Sequence, residues 1–564
     1  MTQSIPQLLD GKGSLSPLLI RNHLEENGFG QFMTSTDRTL KTFFFRKVGG
    51  VLKNYSATNI RTWLIKDVQD HYTEERQDEV LTLVDKLARM PDGTLESSVL
   101  YFLQRFGEEE TEDCVDLIVA RDTKDKCFVR FQNGIVEITK DNIQLLPYDS
   151  DQSDSVWEQS IIRREIEIQT NNDVGLFEKF ALNAMRVEDQ SIEPIDGDWT
   201  KSFPITESVK KNFESLRSAI GYLIHGHNAV QKCVIFIDRA ATFIGENGGN
   251  GKTLVMKSLE HFRGRLSING KQFYRDGGSR FAFSGVQPST GLIHIDDVPN
   301  SFDFKDLFSF ITGDLEVEGK GTNKIIIPES KKPKFGITTN YVLGGNNASH
   351  ERRQHWVEFG DYWRRSFIEN EEVWDPKHLG KSLFNEFDEK DWNQFYNFGF
   401  KCVQLYLREG LLKGAGGSFS EKKIASEAAD DNPDIADWML KYCSTDRLAL
   451  DHHKSGVFKA HLYKMFVSEL GSRVARDWDE TRFSKAMFQY VSQSSDYEWN
   501  PQKSGSTLTD KRHLKTDEYG VQSYWIKIVG STDNVSTSPI VSESSNDDAY
   551  EDSMSYFKEM LKDA

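Results

Sequence analysis

Cysteine is scarce. Five stand in 564 residues, at 114, 127, 233, 402 and 443, and no two are spaced as Cys-x-x-Cys. An odd, scattered set excludes a disulfide framework and a zinc ribbon, and leaves reduced, mostly buried thiols. Long apolar runs are missing too: no stretch approaches the roughly 18–20 residues that cross a bilayer, so no membrane partner is expected. Met1 to Gln7 carry neither the basic nor the apolar part of a secretion signal, and a cytoplasmic chain is expected. Bases are outnumbered, 69 Lys and Arg against 87 Asp and Glu, for a net charge of −18. That sign does not settle whether the chain binds nucleic acid, because net charge governs solubility and long-range steering rather than the field inside a groove. Part of the excess sits at the end, where residues 531–564 hold eight acids and two lysines. No repeat of 20–50 residues is present, which excludes solenoids and propellers.

What is present points to a multidomain soluble protein. Hydrophobic residues make up 38% and aromatics 12%, enough for real cores, and the length suits three or four domains. Residues 1–200 mix short helices and strands as an α+β domain. Leu18–Gly28 has helical spacing, and Cys127–Ile138 alternates like a strand pair around Asn133-Gly134. Residues 201–232 are a helical lead-in, with Phe213, Leu216, Ile220, Leu223 and Ile224 on one face. In 233–365 the pattern becomes α/β. Short apolar runs at Val234–Ile237, Leu292–Ile295, Ile325–Ile327 and Phe335–Thr339 alternate with polar or helical segments, as in a sheet covered by helices. Residues 366–435 are helical and then linker-like, 436–530 form a compact α+β segment, and 531–564 are an acidic tail of disordered composition.

Ile244-Gly-Glu-Asn-Gly-Gly-Asn-Gly-Lys-Thr-Leu-Val255 follows one of these strands and opens a helix. Phosphate binding needs that context. Glycines let backbone N–H groups turn toward an anion, and the helix N-terminus adds its dipole. Gly245, Asn247, Gly248, Gly249, Asn250, Gly251, Lys252, Thr253 and Leu254 are the candidate nucleotide cradle. Lys252 would reach the β- and γ-phosphates and Thr253 would hold Mg²⁺. The pattern G-x-x-x-x-G-K-[ST] is not met in full, since Glu246 stands where glycine is wanted and Gly245 comes one place early.

Leu292-Ile-His-Ile-Asp-Asp297 is an apolar run that ends in two acids. Acids at the end of a buried strand lie at the sheet edge where ligands bind. Asp296 would position Mg²⁺ and Asp297 would orient or deprotonate water. Phe335-Gly-Ile-Thr-Thr-Asn340 ends in an asparagine able to bond a γ-phosphate or the lytic water. Arg352 and Arg353 follow, and adjacent arginines can place one fork in a neighbour's site. Each feature alone also reads as a turn, a cap or a surface ion pair. Together, in this order, they point to an ATPase.

The order resembles superfamily 3 helicases, and more narrowly the helicase domain of phage helicase-primases and their poxvirus-type (D5-like) relatives. The residues that carry the resemblance are Gly248–Thr253, Ile293–Val298, Thr338-Thr-Asn340 and Glu351-Arg-Arg353. It covers about residues 200–365 and is looser for Phe128–Pro147. It implies a P-loop AAA+-like ATPase core, ATP and Mg²⁺ bound between subunits of a hexameric ring, and movement on single-stranded DNA in a host, here a prokaryotic cytoplasm. It also implies a hairpin in the ring channel. Gly319-Lys-Gly-Thr-Asn-Lys324 between two strand-like runs is the matching segment, with Lys320, Asn323 and Lys324 as DNA contacts.

Residues 436–530 suit a winged-helix-like domain, with Glu480–Gln493 as a recognition helix bearing Arg482, Lys485 and Gln489, and Lys503–Lys515 as a wing. Priming chemistry is not expected, since Asp113, Asp116 and Asp122 are scattered with no following histidine motif. His225-Gly-His227 reads as a helix end rather than a metal pair. The leading expectation is a replicative DNA helicase of a virus, phage or mobile element, its acidic tail open to a polymerase or single-strand-binding protein. Two alternatives stand beside it: an oligomeric, DNA-regulated NTPase for loading, packaging or defence, and a DNA-binding adaptor with an inactive loop.

Overall fold

The computed structural model describes residues 6–36, 39–107, 115–116, 121–148, 155–171, 173–186, 198–201, 205–238, 248–273, 279–287, 290–299, 302–318, 325–341, 343, 348–364, 379–415, 457–492 and 497–499, with short pieces at 425–439 and 515–528. They fall into two compact units, 1–440 and 441–564. The chain is mixed α/β. Among the described residues no helix is long and apolar enough to cross a membrane.

Unit 1 opens with a helix at Pro17–Glu26, entered through Ser16, whose hydroxyl caps Leu19 N–H. Strands β1 (Phe29–Thr36), β2 (Thr39–Val48) and β3 (Val51–Tyr55) form a meander. Strands β4 (Arg105–Gly107), β5 (Val115–Asp116) and, further along the chain, β9 (Val156–Trp157) complete a six-stranded sheet of order β5-β4-β1-β2-β3-β9. Helices Ala57–Asp70 and Gln77–Arg89 bury Ile60, Leu64, Val68, Val80, Leu83 and Leu87 in one core with Phe29. Next come β6 (Lys126–Phe131), β7 (Gly134–Thr139) and β8 (Ile143–Leu146), an antiparallel sheet whose first turn is Gln132-Asn133, one residue before the expected Asn133-Gly134, because Gly134 already pairs with Phe131.

The central sheet contains β10 (Cys233–Asp238), β11 (Gly264–Asn269), β12 (Thr290–Val298), β15 (Lys334–Thr339) and β16 (Gln354–Phe359). All pairings are parallel and the order is β11-β12-β15-β10-β16. Strands covered on both faces need apolar residues at most positions, which is why β10, β12 and β15 read as apolar runs, that of β12 interrupted by His294. Val234 and Phe236 face a core shared with helices Glu207–Ile224 and Glu389–Glu409, while Cys233 and Ile235 face another formed with Phe283, Phe304 and Ile311. The first of these cores also takes in Cys127, Val129 and Phe131, so packing runs continuously across residue 200. The two long helices meet closely. A Cβ on Gly221 would lie 2.1 Å from the carbonyl oxygen of Cys402, so only glycine fits.

Ile325–Ile327 does not join this sheet, although its apolar run suits one. It is β14, paired antiparallel with β13 (Leu315–Val317) in a separate hairpin. The turn of that hairpin, with Lys320, Asn323 and Lys324, lies outside the described residues. In unit 2, helices Lys459–Asp477, kinked at Gly471, and Glu480–Ser492 accompany an antiparallel sheet. Its strands are β17 (Val457–Phe458), β18 (Tyr497–Trp499) and β21 (Trp525–Ile528), ordered β17-β21-β18, while β19 (Lys515–Thr516) and β20 (Gln522–Ser523) pair separately. Residues 503–514 of the expected wing, most of the linker-like end of 366–435 and the acidic tail lie outside the described residues.

Candidate functional site

A parallel sheet gathers the ends of separate strands at one edge, and four sequence-predicted residues meet there. The helix Lys252–Ser258 follows Gly251, whose φ of +94° is left-handed. A Cβ at Gly251 would also come within 2.5 Å of the Phe180 ring. Both facts demand glycine immediately before the lysine. Gly248 and Gly249 are exposed, Asn250 is buried, and Leu254 packs partly buried against the core. Gly245 and Asn247 lie outside the described residues.

Lys252 is buried. Its Nζ donates to Asn340 Oδ1 at 2.8 Å and ion-pairs with Asp238, the last residue of β10. Burial lowers the ammonium's pKa, against the pull of Asp238, Asp297 and Asp296. Thr253 Oγ1 donates to Asp296 Oδ1 at 2.9 Å. The loop, the acidic strand and the asparagine, far apart in sequence, thus form one constellation across β10, β15 and β12.

Two adjacent residues on a strand ordinarily point to opposite faces. The structure resolves this with a bulge. The β12–β15 register passes from Ile295↔Ile337 to Val298↔Thr339, so Asp296 and Asp297 together oppose Thr338. Asp297 takes a left-handed φ of +52°, a conformation aspartate tolerates better than most residues. Thr338 fills the gap. Its hydroxyl accepts from Asp297 N–H at 3.1 Å and donates to Asp296 Oδ1 at 2.5 Å. Partial burial would raise the Asp296 pKa, but the bonds from Thr338 and Thr253 and the positive charge of Lys257 hold it below the usual carboxylate value. Asp297 is half-exposed and pairs with Lys271 at 2.6 Å.

The two arginines lie elsewhere and differ from each other. Arg353 O accepts from Cys233 N–H at 2.7 Å, at the start of β10. That is the opposite edge of the sheet from Lys252, a strand length of roughly 20 Å away. Arg353 turns inward. It donates to Ser349 O at 2.9 Å and lies 4.4 Å from the centre of the Phe308 ring. Arg352 is exposed.

Asp238, Lys271, His294 and Thr338 carried no role in the sequence reading. Asp238 had a signal, because it ends an apolar run just as Asp296 does. His294 had one too, as the lone polar residue inside the β12 run. Lys271 had none. His225 Nε2 lies 2.8 Å from Thr123 O, beyond the end of the Glu207–Ile224 helix. Asp122 is structural, pairing with Arg263 and accepting from Phe128 N–H at 2.8 Å.

No protein-family model matches the chain, and no curated protein matches it. Among solved structures it is similar to the apo A form of the NrS-1 C-terminal region, at 10% identity and a TM-score of 0.34, covering 91% of this chain and 100% of that one. A second apo A form of the same region, spanning 305–718, gives 9% identity and a TM-score of 0.32, covering 91% and 99%. Neither likeness bears on the chemistry of the site.

Proposed function

We propose that the chain is a Mg²⁺-dependent ATPase that moves along single-stranded DNA as a ring-forming replicative helicase of the superfamily 3 type. One observation carries the ATPase reading: Lys252, Thr253, Asp296 and Asn340 converge at the carboxyl edges of three adjacent parallel strands. Ligands of open α/β sheets bind at that edge. The donor set also fits the metal. Thr253 and Asp296 offer hard oxygens 2.9 Å apart, the ligand type Mg²⁺ takes beside phosphate oxygens. Mg²⁺ bound there would neutralise phosphate charge.

The chain's own residues supply the rest. Backbone N–H groups around Gly249–Thr253 face the anion, and Lys252 adds a point charge. Lys252 would exchange Asp238 for phosphate on binding. Asp297 orients the attacking water and accepts its proton. Asn340, already against Lys252, bonds the γ-phosphate or that water. Arg352 cannot reach the site of its own chain and acts on a neighbour's, which is why a ring is part of the reading. Arg353 braces the segment that carries Arg352.

The helicase part rests on the resemblance of the motif order. The β13–β14 pairing supports a hairpin that would carry Lys320, Asn323 and Lys324 to phosphates, giving affinity without sequence choice. The β17-β21-β18 order beside two helices supports a winged helix in unit 2, with Arg482, Lys485 and Gln489 exposed on the Glu480–Ser492 helix. The test is ATP turnover with and without single-stranded DNA, followed by displacement of a strand from a forked duplex. DNA-stimulated turnover with displacement supports the helicase. Turnover without displacement supports a loading, packaging or defence ATPase. No turnover in any condition overturns the reading in favour of an adaptor.

A further inference from the structure

We propose that His294 and Thr338, set in direction by Arg265, form a hydrogen-bond relay that holds the Asp296 carboxylate in its metal-binding orientation. This rests on the ATPase reading and assigns two positioning residues to it.

The direction of the relay follows from valence. Arg265 Nη1 lies 3.2 Å from His294 Nδ1, and a guanidinium can only donate. Nδ1 is therefore the acceptor, and the neutral ring carries its proton on Nε2. Nε2 lies 3.3 Å from Thr338 Oγ1 and donates to it. The same oxygen accepts from Asp297 N–H at 3.1 Å, which fills its two acceptor positions. Its one proton goes to Asp296 Oδ1 at 2.5 Å. No other arrangement of these protons satisfies every bond.

The geometry also has a purpose beyond packing. Both hydroxyl bonds to Asp296, from Thr338 and Thr253, fall on Oδ1. They turn the carboxylate so that, among the described residues, Oδ2 is the oxygen without a hydroxyl partner. His294 is fully buried, Thr338 nearly so, and Arg265 is tethered at the rim by Glu260 at 2.9 Å. A buried histidine beside an acidic strand end would be an expense in an ordinary core. Here both ring nitrogens of His294 and the Thr338 hydroxyl have partners, and partners of this kind orient metal-ligating carboxylates.

The experiment compares binding of a non-hydrolysable ATP analogue with Mg²⁺ and with EDTA, beside thermal melting. The variants are Thr338→Val, Thr338→Ser and Arg265→Gln. Thr338→Val should lose about ten- to a hundredfold of affinity with Mg²⁺ while changing less than about threefold in EDTA. Thr338→Ser, which keeps the hydroxyl, should restore Mg²⁺-dependent binding. Arg265→Gln, at the rim, should lose severalfold with Mg²⁺ alone, and it carries the test if Thr338→Val does not fold. Mg²⁺-dependent binding by Thr338→Val or Arg265→Gln equal to wild type overturns the relay, as does a loss of equal size in EDTA. A wild-type chain that binds no analogue in either condition overturns the ATPase reading, and the relay with it.

Discussion

Lys252 Nζ and Asn340 Oδ1 lie 2.8 Å apart, although 88 residues separate them in the chain. The same ammonium pairs with Asp238, which is almost completely buried. Lys252→Ala should therefore do two things. It should abolish nucleotide turnover, and it should destabilise the fold by about 3–5 kcal/mol by breaking a buried ion pair. The double variant Lys252→Ala, Asp238→Asn should recover most of the stability and none of the turnover. Chemical denaturation beside ATPase assays separates the two effects.

In the proposed ATPase, Asn340 would meet the nucleotide only at its terminal phosphate, and Asn340→Ala tests this. Turnover should fall by about a hundredfold or more, with ADP affinity close to wild type. A parallel loss of ADP binding would mean that Asn340 serves only to hold the loop lysine.

Arg352→Ala and Arg353→Ala should fail in different ways. Arg352 is exposed, so its variant should melt like wild type and lose turnover. Mixing it with Lys252→Ala should restore part of the activity, since one chain then provides the arginine and the other the phosphate site. Arg353→Ala should lower the melting temperature, because it removes the bond to Ser349 and the contact with Phe308. Mixing assays that restore nothing would exclude a shared site.

Acid should weaken the fold over a defined window. Burial lowers His225, His294 and His355 from 6.5 to about 4. Between those values the unfolded chain binds protons that the folded chain refuses. The stability these neutral rings contribute is complete above pH 6.5 and is lost as pH falls toward about 4. Melting temperatures recorded across that range should drop, and His355→Gln should flatten part of the slope without touching the nucleotide site.

Much of the site was legible because its chemistry sits at strand ends. An apolar run ending in Asp296-Asp297 or in Asn340 states both the burial of the strand and the polarity of its tip. Asn133-Gly134 located the β6–β7 turn to within one residue, since the turn is Gln132-Asn133. The strands β11 and β16 were not legible. They are the two edges of the sheet, and their residues alternate in exposure, as in Gly264–Asn269, so no unbroken apolar run marks them. Ile325–Ile327 showed the converse: an apolar run says that a strand is buried, not in which sheet.

By itself the sequence determined which local elements form and which residues stand at their ends, because periodicity, glycine placement and apolar runs act over a few neighbours. It also determined the chemical inventory: a lysine, a hydroxyl, two acids, an amide and two arginines, in that order. Only the tertiary structure decided which of these meet. The order β11-β12-β15-β10-β16 brings Asn340 against Lys252 and Asp296 against Thr253, and leaves both arginines at the far edge. Only the bulge opposite Thr338 allows two consecutive acids to serve one edge. Strand order and register depend on contacts between residues tens of positions apart, and no local pattern encodes them.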